Sequence, residues 1–336
     1  MEFTQYNTFP EHLKSTWNGL LNQSITHVPF LRFGFLKTWW QTRGGGEWPQ
    51  TAQLSIVTAE KEGKLAGIAP LFLNQDYQKS TLYLLGSKEI CDYLDIIVRP
   101  SELDQFTDEL LNYLTSNAAP HWNEMILYNL MDNTPTLQSL FQNCQSRGWA
   151  FQTECTKQSP LVRLPGDWET YLSSLDKKQR HEIRRKMRRA SESDVVSWHI
   201  VEDKDTLDAE MDDFLNLMAL DQQKAQFLTT PMREQMRECM RWAFDDRCLQ
   251  LSFMEINGLK AAAYFCFDYL NRIWVYNSGY DLRFSEYSPG WVLLGYLLQW
   301  ANEQKREAFD FMRGNEDYKY QFGAQDRMVL CAIVMR

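Results

Sequence analysis

LQLSFMEINGLKAAAYFCF, residues 249–267, is the stretch whose reading decides the fold. Apolar residues dominate both arms, and Asn257-Gly258 divides them. Asn-Gly between two apolar arms is a strong hairpin signal, because both central residues of a tight hairpin turn take positive φ. Residues 249–256 and 260–267 are therefore predicted as paired antiparallel strands. Working outward, residues 231–244 read as a helix with charged residues on one face. Residues 272–278 add a third strand, and Ser288 opens an apolar helix that runs to about residue 301. Strands over 307–311 and 328–334 close the pattern.

The first half writes the same order of elements. Residues 29–41 read as an aromatic helix ended by Arg43 and three glycines. The segment QLSIVTAEKEGKLAGIAPLFL, residues 53–73, is again a hairpin, with strands over 53–58 and 65–73 around Glu62-Gly63. Strands over 81–85 and 93–98, a helix from Ser101, a strand over 124–128, a helix over 135–147 and a strand over 149–153 follow. Helix, hairpin, strand, helix, strand, strand appears twice, which predicts a duplicated α/β architecture. The boundary falls near residues 157–159, giving modules over 1–158 and 159–336. One larger α/β domain without a repeat is the alternative.

The 336 residues suffice for two cores, and a hydrophobic content of 44% supports burial in both. Seven cysteines stand without CxxC spacing and five histidines without HExxH spacing, so reduced thiols, a cytoplasmic location and no metal are expected. No leader segment and no apolar run of about 18 residues is visible, which predicts no membrane span. A net charge of −9 argues against general DNA binding.

Three segments carry candidate chemistry. In DLRFSEYSPG, residues 281–290, Ser288 and Pro289 suit the N-cap and first position of a helix. Amides there, with Gly290 and Arg283, would form an anion site; an ordinary capped helix is the plain alternative. In FDFMRGNEDYKYQFG, residues 309–323, Asp310 lies on a buried strand and needs partners, for which Arg313 and Lys319 are candidates. That cluster suits a functional cleft and a structural ion-pair network equally well. In KKQRHEIRRKMRR, residues 177–189, eight of thirteen residues are Lys or Arg. Ile183, Met187 and Ala190 mark the buried face, with Arg180, Arg184 and Arg188 in one row opposite. A solvated basic face, a contact to an anionic substrate, and an RNA or membrane surface all fit.

These pieces, together with Pro29-Phe30, Trp39-Trp40 and Gly279-Tyr280-Asp281, resemble the CelD/BcsL-type acetyltransferase branch of the GNAT superfamily, itself similar to the FemAB aminoacyltransferases. The resemblance covers nearly the whole chain and is most specific over residues 170–325. It implies two tandem GNAT-like modules, each a mixed, mostly antiparallel sheet flanked by helices, with chemistry in the C-terminal one. It further implies transfer of an acyl group from acetyl-CoA or another acyl-CoA to an amine or hydroxyl of a small-molecule or saccharide acceptor, in polysaccharide or envelope biosynthesis. Under it, Arg283, Tyr287, Ser288, Pro289 and Gly290 sit where the donor pyrophosphate is held, although this bulkier segment replaces the superfamily's glycine-rich loop. Asp281 or Asp310 is then the candidate base or orienter, and Tyr280 or Tyr318 the candidate acid. Arg180, Arg184, Arg313, Glu316 and Lys319 are the candidate acceptor-binding residues. Two alternatives remain open: an aminoacyltransferase using charged tRNA, and a binding module without turnover.

Overall fold

The computed structural model describes residues 1–76 and 79–336 and divides them into two compact units. The first comprises Met1–Lys157 and Met328–Arg336, the second Gln158–Arg327. In the first, strands β1 (Glu2–Tyr6), β2 (Ala52–Lys61), β3 (Lys64–Gln75), β4 (Ser80–Leu84), β5 (Ile97–Val98), β6 (Glu124–Met131) and β7 (Ala150–Gln158) alternate with helices α1 (Lys14–Leu21), α2 (Phe33–Arg43), α3 (Leu103–Leu114) and α4 (Pro135–Arg147). The sheet runs β1-β2-β3-β4-β6, then the C-terminal strand Met328–Met335, then β7, with β5 paired to β3. The β4–β6 pair is parallel, and the β1–β2, β2–β3 and β3–β4 pairs are antiparallel. The sequence reading placed the C-terminal strand in the second module. Antiparallel pairing with β6, from Val329↔Met131 to Met335↔Glu124, assigns it to the first sheet.

The hairpin of β2 and β3 forms as the turn chemistry predicts, with positive φ at both Glu62 and Gly63. Pro70 sits within β3, where the ladder to β4 stops at Leu71↔Leu84, a place that tolerates a residue without an amide hydrogen. The strand expected over 93–98 shrinks to β5. Its missing part turns around Asp95, a fully buried carboxylate. Hydroxyls of Thr26, Thr134 and Thr136 donate to Asp95 at 2.6, 2.5 and 2.7 Å, and the Ile96 amide at 2.8 Å. Thr134 also caps α4, so one carboxylate ties residues 26, 95 and the start of α4 together.

Burial pushes the Asp95 carboxyl above its usual range, against those four hydrogen bonds. A folded pKa above the unfolded one means that its stabilisation is complete below the unfolded pKa. That contribution falls away as pH rises through the folded value. Asp95→Ala strands three hydroxyls and an amide and is expected to cost about 3 kcal/mol. Asp95→Asn keeps a polar hub without the charge. Denaturant titrations across pH should find it near wild type at neutral pH, with the acid-side gain of the wild type missing.

In the second unit, strands β8 (Leu161–Arg163), β9 (Val196–Ile200), β10 (Leu249–Ile256), β11 (Leu259–Tyr269), β12 (Arg272–Tyr280) and β13 (Ala308–Asp310) form one sheet in the order β8-β13-β12-β11-β10-β9. The helices are α5 (Trp168–Ser174), α6 (Lys177–Ser191), α7 (Leu207–Met218), α8 (Gln222–Phe227), α9 (Thr230–Asp245), α10 (Pro289–Glu303) and α11 (Asp317–Gln321). The β10–β11 turn takes positive φ at Asn257 and Gly258, as expected. Strand alternation then sorts the core. Met254, Tyr264 and Cys266 face Ile183 and Met187 of α6 and Leu293, Leu294 and Leu297 of α10. Phe265 and Phe267 point the other way, against Phe214 of α7 and Trp242 of α9. The sheet is thus covered on both faces.

The basic segment is helix α6, capped by Asp176, whose carboxylate accepts from the Lys178 and Gln179 amides. Ile183, Met187 and Ala190 are buried as their spacing predicts, which leaves the cations outside.

Candidate active site

The site is laid out by β12. A bulge at Tyr276 interrupts its pairing with β11, where Cys266 faces Val275 but Phe265 faces Asn277. On its other side β13 runs parallel and pairs only over Arg272↔Ala308, Ile273↔Phe309 and Trp274↔Asp310. The chain then leaves β12: the Phe311 amide donates to the Pro160 carbonyl, and Met312 takes φ 61°. From Val275 to Tyr280 that edge of β12 has no strand beside it among the described residues.

Asp310 is fully buried at the point of divergence. Of the two cations expected beside it, Lys319 is engaged elsewhere, by Glu316 and the Arg313 and Gly314 carbonyls. Arg327 Nη2 donates to Oδ2 at 2.7 Å, Arg272 approaches to 3.7 Å, and the Met312 amide donates to Oδ1 at 3.0 Å. The carboxylate therefore holds the turn that opens the edge. Asp281, the other candidate base, is buried and engaged by Arg283, whose amide, Nε and Nη2 donate at 2.9, 2.8 and 2.5 Å. The Arg283 hydrogen bonds keep Asp281 below the usual carboxylate range. Such a group suits orienting a loop better than taking a proton.

Ser288 does not cap α10 through its side chain, as the sequence suggested, because it adopts φ 51°. Its carbonyl instead accepts from the Trp291 and Val292 amides at 3.1 and 3.0 Å, and its own amide donates to Ser285. Pro289 has no amide hydrogen. Gly290 faces the Tyr280 ring, 3.4 Å from where a Cβ would stand. The first turn of α10 is largely satisfied from within.

Beside the open edge lies a cluster of phenols and charges. Tyr264 is buried on β11, Tyr280 is half exposed at the end of β12, and Tyr318 comes from α11, edge-on to Phe311. Burial pushes the Tyr318 and Tyr264 phenols well above their usual range, with Tyr280 and Cys266 within electrostatic reach of both. Lys319 is buried, and its ammonium donates to the Arg313 and Gly314 carbonyls at 3.3 and 3.0 Å and pairs with Glu316 at 2.8 Å. It braces the loop that carries Arg313. Burial works to raise the Glu316 carboxyl, but Lys319 and Lys224 hold it below its ordinary value.

Lys224 escaped the sequence reading. It lies on α8, too short for a periodic signal, and its Nζ donates to the Ser278 carbonyl of β12 at 2.5 Å. Burial lowers its pKa, against the pull of Asp221 and Glu316. Arg180 and Arg184 sit on the outer row of α6, the first donating to the Ser173 carbonyl at 3.4 Å, the second paired with Glu169. A groove of about 970 Å³ runs along that row, walled by Lys178, Arg184, Arg185 and Arg188, with Gln321 at its end.

Residues 177–320 match the family model of the acetyltransferase (GNAT) domain. The match begins at α6 and ends within α11, so it takes in the cluster around β12. No curated protein matches the sequence. Among solved structures, FemX superposes with a TM-score of 0.67 at 10% identity, covering 99% of this chain and 97% of its own. A conserved protein of unknown function from Bacteroides thetaiotaomicron gives 0.64 at 11% identity, with both chains covered in full. The C-terminal domain of a putative lysylphosphatidylglycerol synthetase from Agrobacterium fabrum gives 0.55 at 9% identity, covering 96% and 91%. At such identities the likeness is one of fold, and that fold is two units of mixed α/β structure, each a sheet flanked by helices. Among the described residues, no helix is long and apolar enough to cross a membrane, and no group of His, Cys, Asp and Glu is placed to hold a metal ion.

Proposed function

We propose that the second unit, the C-terminal module of the sequence reading, moves an acyl group from acetyl-CoA or another acyl-CoA to an amine or hydroxyl of a small or saccharide acceptor. The observation that carries this reading is the unpaired edge of β12 beyond Trp274, flanked by Tyr280, Tyr318, Glu316 and Lys224. An acceptor amine there attacks the thioester carbon, a tetrahedral oxyanion forms, and the C–S bond breaks to release thiolate. A phenol, Tyr318 or Tyr280, supplies a proton to the sulfur, and the proton that the acceptor nitrogen gives up restores the phenol. Glu316 accepts a hydrogen bond from the acceptor, and Lys224 steadies Ser278. Asp281 and Asp310 act by shaping the loop and the strand end. A role in polysaccharide or envelope biosynthesis, like that of the CelD/BcsL-type enzymes the sequence resembles, belongs to this reading.

Thermal melts against a panel of acyl-CoAs test it, since a ligand selective for the folded state raises its melting temperature. An acyl-CoA that raises the melt and is turned over on an added amine or sugar supports the reading; no response to any donor ends it. With such a donor, Tyr318→Phe is expected to lower kcat about 100-fold with little change in KM, as loss of a general acid would.

The α6 groove favours a second reading, an aminoacyltransferase whose donor is charged tRNA. Binding of tRNA that weakens steeply with salt, with no acyl-CoA response, would select it.

A further inference from the structure

Around the start of α10, three of the amides that would cradle a donor pyrophosphate, those of Ser288, Trp291 and Val292, are already bonded to the Ser285 and Ser288 carbonyls. Cations, in contrast, converge on the loop before α10 from α6. A cavity of about 40 Å³ lies between the two elements, lined by Arg185, Lys186 and Arg189 on one side and Glu286, Tyr287 and Ser288 on the other. That space admits more than one water-sized group.

Two of the cations are held there by rings rather than by carboxylates of the loop. Lys186 Nζ stands 4.4 Å over the Trp291 ring, and the Arg189 guanidinium lies 5.8 Å from the Tyr287 ring centre. A ring holds a cation by its face and leaves N–H groups at the side able to donate. Arg185 and Lys186 share one carboxylate, Glu182, at 2.8 and 3.4 Å. No carboxylate among the described residues pairs with Arg189. Glu286 opposes an anion from the far wall, so the three cations outweigh it. Arg185 also lines the larger groove, where Lys178, Arg184 and Arg188 stand with the carboxylates of Glu169 and Glu182.

We propose that Arg185, Lys186 and Arg189 receive the phosphate groups of the donor, side chains of α6 taking the place of the loop amides. The inference rests on the acyl-CoA reading and adds residues to it. Phosphate oxygens accept from the three side chains in the cavity, and the rest of the nucleotide extends toward the groove through Arg185.

Calorimetric titration of CoA into the full-length protein, paired with turnover of acetyl-CoA and of acetyl-pantetheine, tests it. The probe acetyl-pantetheine carries the thioester without the phosphates. The triple variant Arg185→Ala, Lys186→Ala, Arg189→Ala is expected to bind CoA at least about tenfold more weakly, since hydrogen bonds to charged groups are lost. Its KM for acetyl-CoA should rise by a similar factor, while kcat/KM for acetyl-pantetheine stays at the wild-type value. Lys177→Ala, about two turns from the cavity along α6, should change none of these. All three substituted side chains are surface cations, and melting curves report whether the variant is folded. A folded variant with wild-type CoA affinity overturns the inference and leaves acyl transfer standing. A wild-type protein that binds no CoA or acyl-CoA overturns both.

Discussion

Gly279→Ala is expected to destabilise the second unit by about 3 kcal/mol and to abolish most turnover in whatever remains folded. A Cβ at residue 279 would stand 2.4 Å from the Met218 amide nitrogen, 2.6 Å from the Leu217 carbonyl carbon and 2.7 Å from the Met218 Cα. All three atoms are backbone at the end of α7, so no rotamer change relieves the overlap. Either α7 lifts off the sheet or β12 leaves its register with β11 at Ala263↔Gly279. Both movements carry α8 with them, because only a few residues separate it from α7. The contact between Lys224 and the Ser278 carbonyl then breaks. Gly19→Ala supplies the contrast, since α1 leaves open space around a Cβ there. That change should stabilise by about 0.5–1 kcal/mol, as Ala for Gly does in an exposed helix. Urea denaturation of both variants, with turnover measured per folded molecule, checks the pair. A Gly279→Ala protein as stable and active as wild type would show that the close approach of α7 is not what positions Lys224.

Both hairpins were legible because Asn257-Gly258 and Glu62-Gly63 fix turn type by local chemistry, and α6 because its apolar residues keep helical spacing. Elements defined by pairing alone were not. The strand β8 has three residues, too few for any pattern, and exists because β13 lies beside it. The C-terminal strand reads the same whichever sheet it joins; only its ladder to β6 decides. The break at Asp95 follows from three threonines distant in sequence, two of them about 40 positions away. In the site, the sequence marks Asp310 as a carboxylate that needs partners, and local spacing points only to cations close to it in the chain. Arg327, 17 residues on, reaches it because the chain doubles back past β8, where Leu161 bridges to Gln325. Ser288 was read as a cap from residue type, and its left-handed backbone overrode that preference.

Asp310→Ala should be the most damaging single change near the site, costing about 3–5 kcal/mol, because it leaves the Arg327 and Arg272 guanidinium groups facing a site without its carboxylate. It also removes the acceptor that holds the Met312 amide at positive φ, so the turn that carries β13 away from β12 loses its brace. Asp310→Asn separates that structural role from a catalytic one. The amide oxygen still accepts from Met312, and only the charge is removed. As a positioning residue, Asp310 predicts a loss of about 1–2 kcal/mol in stability with turnover per folded molecule within about threefold of wild type. A catalytic base predicts the reverse, a folded protein whose kcat falls at least about 100-fold and whose acid limb in the pH–rate profile disappears. The full burial of this carboxylate beneath two arginines favours the first outcome. A proton taken from an acceptor would have to enter a site from which solvent is already excluded.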